Sequence, residues 1–137
     1  MMKKIITLFL GLFVLTSCLN NNNDDALNYN FELLPIDEYT TPASFTFGEI
    51  DTIKVKYSLK NGCYSFNNIY YEYKDTTRIV AVRSLVSLDQ NCTLAIIQEE
   101  HKFAIRANQR EDYLFKFWKG TDSNGENIFE EVVVPVN

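Results

Sequence analysis

The sequence predicts an all-β protein, a single antiparallel β-sandwich of about seven or eight strands formed by residues 31–137. Apolar and polar residues alternate with a period of two in several stretches, as in half-buried strands. Turn-forming segments separate these stretches at intervals of about ten residues, and no capped amphipathic helix follows the first residues. Many short, evenly spaced strands are typical of a sandwich.

The N-terminal segment differs in character from this domain. Lys3 and Lys4 precede an apolar run of 11 residues, Ile5 to Leu15, and small residues follow. This three-part layout is typical of a secretory signal. A helix of that run would be about 16 Å long, whereas a bilayer core is about 30 Å thick. We therefore expect residues 1–17 to be a signal peptide; a short buried core helix is the alternative, but such a helix would be amphipathic.

The tetrapeptide Leu15, Thr16, Ser17, Cys18 ends this segment. It resembles the lipobox of bacterial lipoproteins, in which signal cleavage makes the lipidated cysteine the mature N-terminus. Thr16 is slightly larger than the family usually carries there. The resemblance covers about the first 25 residues and implies that Cys18 is lipidated and anchors the protein to a membrane, because two or more acyl chains anchor stably. An ordinary secretory signal with an incidental cysteine is the alternative.

A polar stretch, residues 18–30, links this cysteine to the predicted domain. Asn20 to Asp25 have no apolar side chain whose burial could offset the entropy cost of ordering, so we expect a disordered tether. About 12 flexible residues reach about 20 Å. Acidic residues soon after the cysteine are similar to surface-export signals of lipoproteins in some Gram-negative bacteria. The resemblance implies an outer-membrane location and leaves open the periplasmic face or the cell surface.

The composition is acidic, with 13 Lys and Arg against 18 Asp and Glu and a formal net charge of −5. Loss of residues 1–17 would remove two lysines and leave a net charge of about −7. A net-negative chain without a basic run argues against nucleic acid as a partner. We expect one monomeric domain, since the length suits a single core, and no cofactor.

Cys63 and Cys92 form an even pair once Cys18 carries lipid, and an oxidising compartment favours a disulfide between them. The predicted strands place Cys63 opposite about Leu88, with Cys92 returning to the same end. Closing a loop of about 30 residues would stabilise the fold by about 3.5 kcal/mol. Two free buried thiols are the alternative. Two cysteines and one distant histidine are too few ligands for a metal site.

The first predicted strands lie between residues 44 and 59. "SFTF" (44–47) follows a turn-rich stretch from Asp37 and puts Phe45 and Phe47 on one face. "DTIKVKYSL" (51–59) alternates strictly and predicts a half-buried strand. Its inward residues would be Ile53, Val55, Tyr57 and Leu59.

A long hairpin comes next. "CYSFNNIYYEYK" (63–74) runs out, "DTT" (75–77) turns, and "RIVAVRSLVSL" (78–88) returns. Its residues have strong β propensity. On the first arm Ile69, Tyr71 and Tyr73 share a face opposite Tyr70.

Four further stretches complete the prediction: "TLAII" (93–97), "FAIRA" (103–107), "YLFKFWKG" (113–120) and "IFEEVVVPV" (128–136). In the third, Tyr113, Phe115 and Phe117 share one face. Pro135 cannot donate to a ladder, so the last strand should be an edge or end there. The chain order Cys, Cys, Trp118 differs from the Cys, Trp, Cys order of antibody domains, so the sandwich is immunoglobulin-like in architecture only.

The single histidine, His101, lies in the polar stretch "QEEHK" and is predicted to be a solvated turn residue. A catalytic triad needs a nucleophile and an orienting acid beside the histidine, and neither "GxSxG" nor "HExxH" occurs. We therefore expect no catalytic residue and no metal.

Acidic pairs could serve a glycosidase, but neighbours on a strand point to opposite faces, and solvated charge is the better interpretation. The loop "DSNGE" (122–126) lacks the length and helices of a calcium loop, which favours a turn at Asn124 and Gly125. The acidic pairs are Asp37 with Glu38, Glu99 with Glu100, and Glu130 with Glu131.

Four tyrosines fall within ten residues, and tyrosine favours interfaces because its ring is apolar and its hydroxyl can stay wet. Tyr64 and Tyr70 are candidates for a partner or glycan surface. Cross-strand aromatic pairs that merely stabilise a sheet are the alternative.

"DTI" (51–53) and "DTT" (75–77) look like an O-glycosylation acceptor pattern of some bacterial envelopes. The pattern is only three residues long. It makes Thr52 and Thr76 candidate glycan acceptors.

These observations favour a non-enzymatic, membrane-anchored envelope lipoprotein that acts as a structural or interaction module with an unknown envelope protein or glycan. A glycan- or peptide-binding accessory lipoprotein is the alternative, and a small hydrolase is the least favoured. A concave face with two or more exposed aromatic residues would favour the accessory, whereas convergent carboxylates in a pocket would favour the hydrolase.

Overall fold

The computed structural model describes residues 28–137, and these residues form eight strands in two sheets without a helix. The predicted all-β sandwich is confirmed. The signal peptide, Cys18 and most of the tether lie outside the described residues. Within them no helix is long and apolar enough to cross a membrane. The strands are β1 (Tyr29–Leu34), β2 (Ile36–Thr40), β3 (Ile50–Leu59), β4 (Tyr64–Lys74), β5 (Thr77–Ser87), β6 (Ile97–Arg106), β7 (Tyr113–Thr121) and β8 (Asn127–Val134).

The five-stranded sheet is built around β5. Strand β4 pairs antiparallel along nearly all of β5, and the other edge of β5 is shared, with β1 beside residues 82–87 and β7 beside residues 77–80. Strand β8 pairs outside β7. The β5–β7 pair is parallel, which is the exception to the antiparallel arrangement that the sequence predicts. The second sheet has the order β2-β3-β6.

Pro35 separates β1 from β2 and divides one extended segment between the two sheets. Proline has no N–H for a ladder, so it suits a point where pairing changes partner. The side chains on both sides of it, Leu34 and Ile36, are fully buried. The segment therefore closes one side of the sandwich while it crosses between the layers.

The core lies between the inward faces of β3, β5 and β7. The alternation predicted for β3 is confirmed, since Ile53, Val55, Tyr57 and Leu59 expose at most 3% of their surface. The same holds for β7, where Tyr113, Phe115 and Phe117 expose at most 1%. Each such side chain contributes about 1.5–3 kcal/mol by its burial.

The N-terminal boundary differs from the prediction. Tyr29 and Asn30, assigned to the tether, pair with Ser87 and Val86 in β1. Likewise the stretch from Asp37, predicted to be turn-rich, begins within β2, which pairs with β3. Both strands are short, and tertiary pairing outweighs their polar residues.

The segment around β6 also requires correction. "TLAII" is mostly loop, since β6 begins only at Ile97, and "QEEHK" is strand rather than turn. The alternation is hidden because Glu99 and His101 occupy inward positions, facing the same way as Phe103 and Ile105. "SFTF" forms no strand; Phe45 makes one isolated bridge to Val136 and is buried, whereas Phe47 is exposed.

The hairpin of β4 and β5 turns through Asp75 and Thr76, as predicted, with Asp75 at a φ of 53°. A register shift between Phe66 and Asn68 then moves the pairing by one residue. Ser87, rather than Leu88, therefore lies opposite Cys63 and donates its N–H to the Cys63 carbonyl. Cys63 and Cys92 form the predicted disulfide, with their Cα atoms 5.2 Å apart.

Candidate functional site

The outer face of the five-stranded sheet is unusually apolar for a face turned toward solvent. An antiparallel sheet with one exposed face normally carries polar residues there. In this sheet every strand instead contributes outward apolar side chains, and three of them keep large exposed fractions: Tyr29 (49%), Phe31 (44%) and Val133 (57%). We call this surface the outer apolar face; its members are Tyr29, Phe31, Leu33, Tyr70, Ile79, Ala81, Leu85, Leu114, Trp118, Phe129 and Val133.

A shallow groove of about 170 Å³ crosses the middle of the outer apolar face. It brings together aromatic side chains from three strands, Tyr70, Trp118 and Phe129. A register shift at Gly120, whose φ is 104°, follows Trp118 directly. A backbone conformation with positive φ favours glycine, because a Cβ atom would be strained there. The remaining lining residues are Leu33, Glu72, Ile79, Ala81 and Asn127.

The polar groups of this groove are paired within the protein. The Tyr70 hydroxyl donates to Glu72 (2.6 Å), and the Trp118 indole N–H donates to the Asn127 side-chain oxygen (2.9 Å). The bond to Glu72 raises the pKa of Tyr70, and partial burial adds to the rise, so its hydroxyl stays protonated at neutral pH. The rings are thus held in position by polar contacts at their rims.

The outer apolar face also carries charges, of which one pair is compensated within the described residues. Lys116 pairs with Glu131 on the neighbouring strand (2.6 Å). The Arg83 guanidinium lies 4.0 Å from the centre of the Phe31 ring, a cation–π contact. Glu72, Lys74 and Arg83 form no ion pair in the described residues, so the surface combines apolar side chains with a few unpaired charges of both signs.

The structure separates the two tyrosines that the sequence suggested for a binding surface. Tyr70 lies on the outer apolar face and is 37% exposed. Tyr64 lies on the opposite, inward face, packs against the core and donates its hydroxyl to Glu32 (2.6 Å). The expectation that both tyrosines serve one surface is corrected, because the register shift after Phe66 changes which β4 residues point outward.

Both candidate glycan acceptors are exposed. Thr52 lies on β3, and Thr76 lies in the turn between β4 and β5. Their accessibility permits modification without proving it, and acceptance of glycan stays a prediction.

The prediction that His101 is a solvated turn residue is wrong. His101 lies within β6, and its ring stacks on Phe66 with 4.1 Å between centroids. This contact between the two rings links β6 of one sheet to β4 of the other. Within residues 28–137 no group of three or more His, Cys, Asp and Glu side chains could hold a metal ion.

The three acidic pairs bind separate partners and do not converge. Lys54 pairs with Glu100, while Tyr57 donates to Glu99 (2.8 Å). Similarly, Lys56 pairs with Glu38, Ser58 donates to Asp37, and Lys116 and Lys119 pair with Glu131 and Glu130. The loop 122–126 is a turn in which Gly125 alone takes a positive φ, and the Asp122 carboxylate accepts from two backbone N–H groups.

A second apolar region lies at the end of the sandwich where the described chain begins. Leu88, Leu94 and Ile96 expose 56%, 91% and 73% of their surface in loop 88–96. The loop is held beside Asn28, which exchanges backbone and side-chain hydrogen bonds with Leu88 and Asp89. The disulfide at Cys92 fixes it to the base of the hairpin.

Sequence reasoning missed the outer apolar face as a whole. The available signal is the pair of outward apolar residues of β7, Leu114 and Trp118. Only the order of the strands shows that they join those of β1, β4 and β8.

Among protein families, the model of the ORF11 beta-sandwich domain matches residues 53–134. The match covers more than half of the chain and spans β3 to β8. No curated protein and no solved structure matches the chain.

Proposed function

We propose that this chain, which belongs to the ORF11 β-sandwich domain family, is a lipid-anchored, non-enzymatic interaction protein of the bacterial cell envelope. In this proposal a protein partner docks on the outer apolar face. Cys18 carries the lipid, in accordance with its lipobox-like sequence, and the outer membrane is the proposed site of anchoring.

The outer apolar face is the observation that carries the docking proposal. Exposed apolar side chains that lie side by side cost free energy in water and are typical of a surface that a partner covers. Tyrosine, tryptophan and arginine, here Tyr70, Trp118 and Arg83, are the residue types that contribute most at protein interfaces. Charges of both signs among the apolar side chains suit a protein partner better than a polymer with charges of one sign.

The end that carries Asn28 supports the anchoring part of the proposal. Cys18 precedes Asn28 by ten residues, and if these residues form the flexible tether that the sequence predicts, the tether would reach about 17 Å. An anchor at that distance would turn this end of the sandwich toward the bilayer. Leu94 and Ile96, which are otherwise exposed to water without a partner in the described residues, would then contact the membrane interface.

Anchoring is tested by replacing the lipidated residue. The Cys18→Ala variant should move from the membrane fraction to the soluble fraction, and the wild-type chain should carry acyl groups by intact mass. A variant that still floats with membranes would contradict the lipid anchor.

Docking is tested by photo-crosslinking in the native envelope. A benzophenone amino acid is placed at Phe31 or Phe129 on the outer apolar face, and as a matched control at Lys102, an exposed position on β6. A discrete protein adduct should form from the first two positions only. The same adducts from Lys102, or none from any position, would overturn this interface.

A glycan-binding accessory role is the second candidate, favoured by the groove with its three aromatic side chains. Sugar rings stack on such side chains while polar neighbours bind their hydroxyls. Tyr70→Ala should weaken retention on immobilised envelope polysaccharide, whereas Tyr29→Ala, on the same face outside the groove, should not. Equal retention by both variants and the wild type would exclude the groove as a glycan site.

A further inference from the structure

A cleft of about 290 Å³ opens between the two sheets, near the hairpin turn at Asp75. It lies at the opposite end of the sandwich from loop 88–96, because β5 runs from Thr77 beside this turn to Ser87 beside Cys63. Strands β4, β5 and β6 and the segment that leads into β7 supply its walls. The lining residues are Ile69, Tyr71, Tyr73, Arg78, Phe103, Ala104, Ile105, Arg106, Asn108 and Tyr113.

Arg78 is the unusual member of this lining, because it is a cationic side chain that is only 4% exposed. Its Nη1 donates to the carbonyls of Asp75 (2.7 Å) and Thr77 (2.9 Å), and its Nη2 donates to Gln109. Its Nε–H is buried without a hydrogen-bond partner. Since guanidinium has five N–H donors, one donor on Nε and one on Nη2 remain unused.

No carboxylate compensates this charge within residues 28–137. The ion pairs of the described chain do not include Arg78, and its contacts with acceptors are to neutral oxygens. Burying a charge without an opposite charge costs free energy, and burying an N–H group without a hydrogen-bond acceptor adds to that cost. The site therefore gains free energy from an anion that reaches it.

The lining as a whole has a positive charge, although the protein is acidic. Arg106 also lines the cleft, but it is exposed, lies on the opposite side of β6 from Ile105 and directs its Nη1 to the Gly48 carbonyl (2.7 Å). No Asp or Glu lines the cleft. The Arg78 guanidinium suits a carboxylate because it can donate two parallel N–H bonds to it.

Four aromatic side chains, Tyr71, Tyr73, Phe103 and Tyr113, form much of the cleft wall. The Arg78 guanidinium lies 4.6 Å from the Tyr73 ring centre and 5.0 Å from that of Tyr113, so rings flank it. Tyr71 contacts Tyr73 and Phe103 edge-to-face. Burial raises the pKa of Tyr71, and Arg78 opposes part of this rise, so the phenol stays a neutral donor. These walls suit an apolar or sugar ring of modest size.

We propose that this cleft binds a small organic acid, with its carboxylate directed at Arg78 and a ring-sized body packed against the side chains of Tyr71, Tyr73 and Phe103. The carboxylate belongs either to an aromatic acid or to a sugar acid. This site lies between the sheets, apart from the outer apolar face, and it rests on neither the lipid anchor nor the protein partner.

The binding test uses the full-length chain in mild detergent and ligand-observed NMR with four probes: benzoate, benzamide, glucuronate and glucose. Benzoate or glucuronate should bind with a Kd of about 1 mM or tighter, and its neutral counterpart at least about tenfold more weakly. Whether benzoate or glucuronate binds shows whether the ring of the ligand is aromatic or a sugar. The proposal fails if neither acid saturates at about 10 mM, or if a neutral probe binds as well as its acid.

Variants locate the site. Arg78→Gln should abolish binding of the acid, and Phe103→Ala, which removes one aromatic wall, should weaken it by about tenfold. Lys102→Gln, which removes an exposed cation of β6 outside the cleft lining, is the control and should bind like the wild type. The melting temperature of Arg78→Gln shows whether that variant folds; if it does not, Phe103→Ala decides. Equal affinity of Phe103→Ala and Lys102→Gln would overturn the assignment.

Discussion

The Tyr64 hydroxyl donates a 2.6 Å hydrogen bond to Glu32, and Lys60 forms an ion pair with the other oxygen of the same carboxylate. The contact links β4 to β1 across the inward side of β5. Burial acts to raise the pKa of Glu32, but the bonds from Lys60 and Tyr64 together outweigh it and the pKa is lowered. The bond to Glu32, followed by burial, raises the pKa of Tyr64 to about 12.

Glu32→Gln should lower the free energy of unfolding by about 1 kcal/mol at pH 7. A carboxyl whose folded-state pKa is lowered stabilises the fold above its ordinary pKa of about 4.5, and this contribution is lost as the pH falls through the lower folded value. The difference from the wild type should therefore shrink below about pH 4. Urea unfolding from pH 3 to 7 measures it, with the exposed Glu49→Gln as control; a difference independent of pH would contradict the contact.

Tyr64→Phe should likewise cost about 1 kcal/mol at pH 7. A tyrosine whose pKa is raised contributes its full stabilisation below its ordinary value of about 10, and this contribution disappears between pH 10 and about 12. The phenolate absorbance of the wild type should thus contain one late-titrating group that Tyr64→Phe lacks. Identical alkaline titrations, apart from total amplitude, would show that the hydroxyl is not held by Glu32.

Removal of the disulfide should destabilise the domain by about 2–4 kcal/mol, because the bridge closes a long loop with a sequence separation of 29 residues. The Cys63→Ser, Cys92→Ser double variant should show this loss in urea unfolding. The reduced wild type should match it, and reductant should not affect the double variant further. An unchanged unfolding midpoint in the variant would contradict a structural role for the bridge.

His101→Phe and His101→Ser should differ in stability. Phenylalanine can preserve the stack on Phe66, whereas serine removes it, at a cost of about 1 kcal/mol or more. Thermal unfolding at pH 8 should place His101→Ser several degrees below the wild type and His101→Phe near it. If both variants melt at the temperature of the wild type, His101 is a solvated residue, as the sequence predicts, and the stack on Phe66 does not stabilise the fold.

The orientation at the membrane predicts different environments for two exposed positions. In a Trp118→Phe background, Leu94→Trp should show emission shifted to shorter wavelength when the acylated protein is in vesicles, because the proposed orientation turns the exposed loop 88–96 toward the bilayer. Ile50→Trp, at the opposite end beside Arg106, should emit as in water. Equal emission spectra at both positions would contradict this orientation. They would not bear on the lipid anchor, which the Cys18→Ala variant tests.

Much of the fold could be predicted because strand alternation is a local property of the chain. The inward residues of β3 and β7, the turn at Asp75 and the disulfide all follow from periodicity and turn chemistry. The polar inward residues of β6 could not be interpreted in this way. Glu99 is tolerated there because Tyr57 donates to it, and His101 because Phe66 stacks on it, and both partners are remote in sequence.

The candidate site depended on relations that a single strand does not contain. Tyr70 is exposed and Tyr64 is held inward because one residue was inserted into β4 near Asn67, and a register shift of one reverses every side chain beyond it.

The sequence by itself determined strands β3 and β7, the β4–β5 hairpin and the pairing of Cys63 with Cys92, because alternation and turn residues act over a few positions. The tertiary structure decided that five strands join their outward apolar side chains into one surface, and that Arg78 is buried among rings without a carboxylate. The physical reason is that exposure and charge compensation depend on which strands become neighbours, and neighbours are chosen by pairing between distant parts of the chain.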